Sequence, residues 1–402
     1  MRRLYAIGGL LSRNVGSWAW LLGVCAVFAP QMSIAAAAAS KSSAQARIET
    51  RLRIAPPNRP VQILDLPAAM SALRIPSASV AVIERGRIAW SRTFGDAALG
   101  TPVYQAASLS KFVTAIVAMR LVDKGVLALD APVGDSIKIW SPGRSSLMDG
   151  HPVTLRWLLS MRGGINVPGF AGYPADATLP TLQQILQGAP PASSPEVKVE
   201  AQPGSRYAYS GGGYEIVEAL TEGAAGKPFA DVARDEVFGP LGLSHSAFGA
   251  RPPASLATDT VQEGHDGDGK ALPGGWRAVP ELAAAGLWST PEDIARVLIE
   301  VCNQRAGRGA PFLSPATVAQ ILTPQGGGPY GLGAAIAQSG RHVVLMKRGQ
   351  NVGYQGYLLL FPNACNGIVI MTGSDNGTTL AEALIRRAAE VYRWPSIGKL
   401  QD

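Results

Sequence analysis

The 402-residue sequence has only three cysteines and four histidines. The histidines (His151, His245, His265, His342) are scattered, and none stands at zinc-ligand spacing from a cysteine. Asp266-Gly-Asp268-Gly resembles the start of a calcium loop but lacks the glutamate that closes one, so an Asp-Gly turn is the plainer reading. No metal or other cofactor is expected. Charged residues make up 16% of the chain. Lysine and arginine form no stripe interleaved with aromatics, which argues against a nucleic-acid surface. No G-x-S-x-G elbow occurs, which argues against an α/β-hydrolase. No internal repeat is visible. The apolar stretch Trp18–Phe28 is too short to span a bilayer comfortably.

The chain is long enough for a large core in two or so domains, and 47% hydrophobic residues make it globular. Arg2 and Arg3, the apolar stretch and the alanines from Ala35 to Ala39 form an export-signal pattern over residues 1–39. The expected product is a periplasmic or secreted protein that starts near Ser40 and keeps no stable membrane span. A retained anchor, or lipidation at Cys25, is the alternative. Of the net charge of +7, three positive charges lie in that leader and would leave with it. Cys302 and Cys365 would remain. An oxidising compartment would let them pair, but the sequence does not place them within bonding distance.

Residues 40–60 are polar and then proline-rich, and read as a linker. Ala78–Glu84 and Arg87–Phe94 are β-rich runs around Arg85-Gly86, a hairpin signal. After Pro102 the pattern turns helical, with Phe112, Val113, Ile116, Val117, Leu121 and Val122 on one apolar face and Gly125 past the end. Helices are expected over Thr154–Met161, Tyr214–Ala225 and Phe229–Phe238. Two more open at Thr290-Pro291 and Ser314-Pro315. Gly331–Ala337, His342–Lys347, Tyr357–Phe361 and Gly367–Thr372 read as strands, and Leu380–Tyr392 as a closing helix. This order predicts an α+β fold. One antiparallel sheet draws on residues 61–100 and 325–395 and is flanked by N- and C-terminal helices, with a mainly helical insertion at 101–324 and a tail at 396–402.

In the stretch AASLSK, Ser108 stands three residues before Lys111 at the start of the helical pattern. On a helix, positions i and i+3 share a face. A serine becomes a useful nucleophile when a base takes its proton, and a desolvated lysine is such a base. A serine is also an ordinary helix cap, and Ser396-Ile-Gly-Lys399 repeats the spacing with no helix to hold it. Context separates the two matches. Tyr209 in Tyr209-Ser210-Gly211, at a loop-to-helix junction, can relay protons. Lys347 in Lys347-Arg348-Gly349, late in the chain, can attract a substrate carboxylate. Gly349 allows close approach of backbone, and the N–H of Gln350 could join that of Ser108 as an oxyanion hole.

These elements, in this order, resemble the class C β-lactamase-like serine hydrolases, a group that includes penicillin-binding DD-peptidases, D-aminopeptidases and β-lactamase-like esterases. The resemblance extends over VAVIERGRIAWSRTFG, SLSKFVTAIVAMRLVDKGVLALDAPV, PGSRYAYSGGGYEIVEAL, VFGPLGLSHSAF, AAAGLWSTPEDIARV and GYQGYLLLFP, from about Pro76 to Trp394. It implies a sheet domain and a helical domain with the site between them. Ser108 would be the nucleophile, Lys111 its proton partner, Tyr209 a second relay group, and Lys347 the lysine before x-Gly. Three departures stand out. Gly211 replaces the asparagine often found in Y-x-N, Met161-Arg162-Gly163-Gly164 replaces a usual H-T-S-G, and Arg348 replaces a small hydroxyl residue. The first weakens a β-lactamase reading. The expectation is an acyl-enzyme serine hydrolase, a peptidase/amidase or esterase, acting on a small-molecule or short peptide substrate. A β-lactamase proper and a catalytically silent cell-wall peptide-binding protein are the alternatives.

Overall fold

The computed structural model describes residues 43–55, 60–96, 100–143 and 145–395. The expected leader at 1–39 and the tail with Ser396 and Lys399 lie outside the described residues. Arg85 and Gly86 hold φ values of 49° and 78°, the positive pair that lets a two-residue turn follow the twist of its strands. They join β1 (Ser77–Glu84) to β2 (Arg87–Gly95). Four more strands come from the other end of the chain: β3 (Ala335–Ser339), β4 (His342–Asn351), β5 (Tyr354–Phe361) and β6 (Asn366–Thr372). The order is β3-β4-β5-β6-β1-β2, antiparallel throughout. The early and late segments therefore meet at the β6–β1 seam, where Val369 faces Ala81. The α+β architecture read from the sequence is the one observed.

The principal helices are α1 (Leu66–Leu73), α2 (Leu109–Asp123), α3 (Gly211–Ala225), α4 (Leu282–Ala285), α5 (Pro291–Arg305) and α6 (Gly377–Tyr392). Val80, Val82, Leu359, Ile368 and Ile370 join α1 and α6 in one core. Ala81, Ile83, Leu358, Leu360 and Val369 join α2 and α5 in the other. With both faces covered, the central strands carry unbroken apolar runs. Helix α2 is buried from Leu109 through Met119, so it has no polar face of the kind its spacing suggested. A helix enclosed by neighbours on every side has no use for one.

Several local readings differ from the structure for physical reasons. In the segment taken as a linker, residues 43–48 are helical and Leu52–Ile54 pairs with Gln62–Leu64. Ile48, Leu52 and Ile54 are fully buried against α1 and α6, three apolar residues hidden within a polar composition. After Pro102 the chain first makes a short strand, Pro102–Gln105, which pairs with Leu287–Ser289. Phe229–Phe238 is α-helical only to Ala233 and then a π-helical stretch. The strand expected from Gly331 begins at Ala335. A Cβ on Gly331 would lie 2.1 Å from the Ile321 carbonyl oxygen, so that glycine serves close packing. The Asp266 loop is a turn, with Oδ1 accepting from the Asp268 and Lys270 amides at 2.9 Å each.

Cys302 on α5 is bonded to Cys365 in the β5–β6 turn, with Cα atoms 5.8 Å apart at a sequence separation of 63. The bridge pins α5 to the sheet. Closing a loop of that length restricts the unfolded chain by about 4 kcal/mol. Denaturant unfolding of Cys302→Ser, or of wild type with reductant, is expected to show a loss of that order. An unchanged midpoint, or two titratable thiols in the native protein, would contradict the bridge.

Candidate active site

Ser108 follows Ala107, a buried non-glycine residue at φ 49°. Left-handed backbone at such a residue costs about 1 kcal/mol or more and needs support from its surroundings. Ser110 supplies part of it: its hydroxyl donates to the Ala107 carbonyl and accepts from the Leu287 amide at 3.1 Å. Ser108 occupies the N-cap position of α2, yet its side chain makes no cap bond. Instead Lys111 Nζ donates to Ser108 Oγ at 3.1 Å. The ordinary cap therefore does not describe this serine.

Lys111 is 2% exposed. Its Nζ also donates to the Ala284 carbonyl at 2.8 Å and lies 5.2 Å from the centre of the Tyr209 ring and 5.6 Å from that of Tyr214. Burial pushes its pKa below the ordinary lysine value. Tyr209, which also hydrogen-bonds to it, works against that shift, and the charge of Lys347 adds to it.

Ser210, next to Tyr209, caps α3: its Oγ accepts from the Gly213 amide at 2.9 Å and donates to the Asn166 carbonyl at 2.7 Å. The Met161–Gly164 turn braces the same segment. Met161, at φ 60°, accepts from the Ala208 amide through its carbonyl and from the Ser210 amide through its sulfur. A side chain on Gly211 would begin 2.9 Å from the Phe170 ring. Glycine there makes room for Phe170, which lines the site.

Lys347, Gly349 and Asn351 alternate along β4. Lys347 is 1% exposed. Its Nζ donates to the Arg348 carbonyl at 2.8 Å and lies 5.0 Å from the centre of the Tyr209 ring, so its charge meets Tyr209 and Lys111 rather than open solvent. A Cβ on Gly349 would stand 2.6 Å from the Ala106 carbonyl oxygen and 3.0 Å from the Ser108 nitrogen. Only glycine lets β4 lie this close to the start of α2. Gln350 is exposed and borders a cavity of about 530 Å³ lined also by Ser108, Lys111, Phe170, Tyr209 and Asn351.

All six residues singled out in the sequence thus stand in one neighbourhood. Sequence reasoning missed Asn351, whose Nδ2 donates to Gln105 Oε1 at 2.8 Å and to the Ala285 carbonyl at 3.3 Å. Strand alternation two residues past Gly349 was the available signal. It also missed Phe170 and Tyr207, which lie on loops and reach the cavity only through tertiary folding.

Among curated proteins the chain is 24% identical to the D-alanyl-D-alanine-carboxypeptidase/endopeptidase AmpH of Escherichia coli (strain K12), over 68% of this chain and 71% of that protein. It is 28% identical to Esterase EstB of Burkholderia gladioli, over 62% of this chain and 70% of that one. Among solved structures, the D-amino acid amidase of Ochrobactrum anthropi SV3 shares the fold with a TM-score of 0.67, at 19% identity over 88% of this chain and 99% of that chain. The family model described as Beta-lactamase matches residues 65–393, a span that holds the whole six-stranded sheet and every residue gathered around Ser108, and the chain belongs to that family.

Proposed function

We propose that the protein is a serine hydrolase that cleaves an amide or ester bond through an acyl-enzyme on Ser108. The observation that carries this reading is the 3.1 Å contact between Lys111 Nζ and Ser108 Oγ, made by a lysine that burial inclines toward its neutral form. Neutral Lys111 takes the hydroxyl proton as Ser108 Oγ attacks the substrate carbonyl carbon. The N–H groups of Ser108 and Gln350 receive the oxyanion. Tyr209, whose ring lies near both lysines, carries the proton to the leaving group, whose bond to the carbonyl carbon then breaks. Water next attacks the Ser108 ester, gives a proton back through the same groups and releases the acid. Lys347 supplies positive charge next to Tyr209. The expected occupant is a small molecule or short peptide.

Phe170 behind Gly211 makes one wall of the cavity apolar. That favours an apolar acyl group over an acylamide and puts β-lactam hydrolysis second to esterase or peptidase action. Export is supported by the signal pattern at 1–39 and by a disulfide that needs an oxidising compartment. Among the described residues, no helix is long and apolar enough to cross a membrane.

Ser108→Ala should abolish the mass adduct formed with a fluorophosphonate. Because Ser108 makes no side-chain cap bond, the substitution should spare stability to within about 1 kcal/mol. A persisting adduct would exclude Ser108 as nucleophile. Lys111→Ala should end labelling as well. In wild type the labelling rate should rise with pH as Lys111 loses its proton, and the rise should be complete below the ordinary lysine value of 10.5, because the folded pKa is depressed. A rate that declines as Lys111 deprotonates would remove it as the base. Tyr209→Phe should lower turnover by about a hundredfold, the scale of losing a proton-transfer group, and steady-state kinetics on a p-nitrophenyl ester would read it. Wild-type turnover would take Tyr209 out of the relay.

A further inference from the structure

Two pairs of side chains grip the backbone of the same two residues, one pair at the carbonyls and the other at the amides. From α2, Thr114 Oγ1 donates to the Ala283 carbonyl at 2.9 Å and Lys111 Nζ to the Ala284 carbonyl at 2.8 Å. From α3, Glu218 Oε2 accepts from the Ala283 amide at 2.8 Å and Glu215 Oε1 from the Ala284 amide at 3.2 Å. Each pair is spaced i, i+3, the spacing that puts two side chains on one helix face. The clamped residues belong to the short helix α4, whose first amides have no intrahelical partner. The next carbonyl, that of Ala285, accepts from Asn351 in the site.

We propose that Glu215 and Glu218 are positioning residues that hold Lys111 against Ser108 through the peptide groups of Ala283 and Ala284. The inference rests on the proposed role of Lys111. A four-residue helix is too short to hold itself rigidly, so the carbonyl that anchors Lys111 Nζ stays in place only if the amide side of the same turn is held. The two carboxyl groups do that from the rigid fifteen-residue α3. Glu215 and Glu218 are 0% and 3% exposed. Burying two acids is expensive unless they are hydrogen-bonded and at least one is neutral. Both pKa values are pushed up, chiefly by burial, that of Glu218 to about 8. A pair that holds at least one proton can stand in this core and still present one oxygen to each amide.

A purely structural pair would contribute to melting temperature alone, whereas a positioning pair sets the rate at which Ser108 reacts. The test compares Glu218→Ala, Glu218→Gln and, as a control, Thr221→Ala. Thr221 is buried on the same helix with a hydroxyl that makes no hydrogen bond among the described residues. For each folded protein the measurements are the fluorophosphonate labelling rate of Ser108, kcat and KM on p-nitrophenyl butyrate, and amide exchange over residues 282–286. Glu218→Ala should slow labelling and kcat by about tenfold or more, since small misplacements of reacting groups cost that much. KM should stay within about threefold for a change that spares the binding walls, and exchange should quicken. Glu218→Gln keeps an acceptor oxygen and should restore most of the rate, while Thr221→Ala should match wild type. Labelling of Glu218→Ala at the wild-type rate, or failure of Glu218→Gln to restore it, overturns the inference. If Glu218→Ala does not fold, Thr114→Val releases the same turn from the α2 side and should slow labelling severalfold, and a wild-type rate there overturns the inference too. If wild type itself does not label, the hydrolase reading fails and this inference with it. Amide exchange in the same samples would still show whether Glu218 holds the turn.

Discussion

A lysine ammonium buried to 2% exposure is the constraint around which the site is arranged. Removing such a charge from water costs far more than any single contact repays. The fold has to offer Lys111 partners, and they include the hydroxyl of Ser108, the carbonyl of Ala284, the ring and hydroxyl of Tyr209 and the ring of Tyr214. A second buried lysine, Lys347, lies 5.0 Å from the centre of the Tyr209 ring. Its charge adds to burial in making the protonated state of Lys111 harder to keep.

The fold supplies this arrangement by bringing distant segments together. Closing the sheet at the β6–β1 seam sets β4 beside the start of α2, and Gly349 lets the two backbones approach within contact distance of Ser108. Helix α5, tied to the β5–β6 turn by the Cys302–Cys365 bridge, covers the sheet on the side that carries α2. The short α4 then fits between α2 and α3, where it receives side chains from both. Ala107, Met161 and Val167 all hold positive φ, and all three lie in segments that contact the site residues or their immediate supports.

The departures from the usual motifs are structurally coherent. Met161 replaces a polar turn residue and braces the Tyr209 segment through its sulfur and carbonyl. Gly211 gives its space to Phe170. Both positions here serve packing or backbone support of the Tyr209 segment.

The sequence by itself determined the α+β order, the β1–β2 hairpin at Arg85-Gly86 and the helix starts at Thr290 and Ser314, because these depend on local periodicity and turn chemistry. It also picked out Ser108, Lys111, Tyr209 and Lys347, because chemistry-bearing residues at short spacings leave a readable pattern. Only the tertiary structure decided that Ser108 is bonded to a lysine instead of capping its helix, that Cys302 reaches Cys365, and that Ile48, Leu52 and Ile54 lie in the core. The Glu215 and Glu218 clamp was equally hidden. Two glutamates three apart on a helix read as ordinary surface charge until α4 is packed against them, and no local rule encodes that packing. Burial is a property of the assembled chain, and here burial turns common residues into the supports of the site.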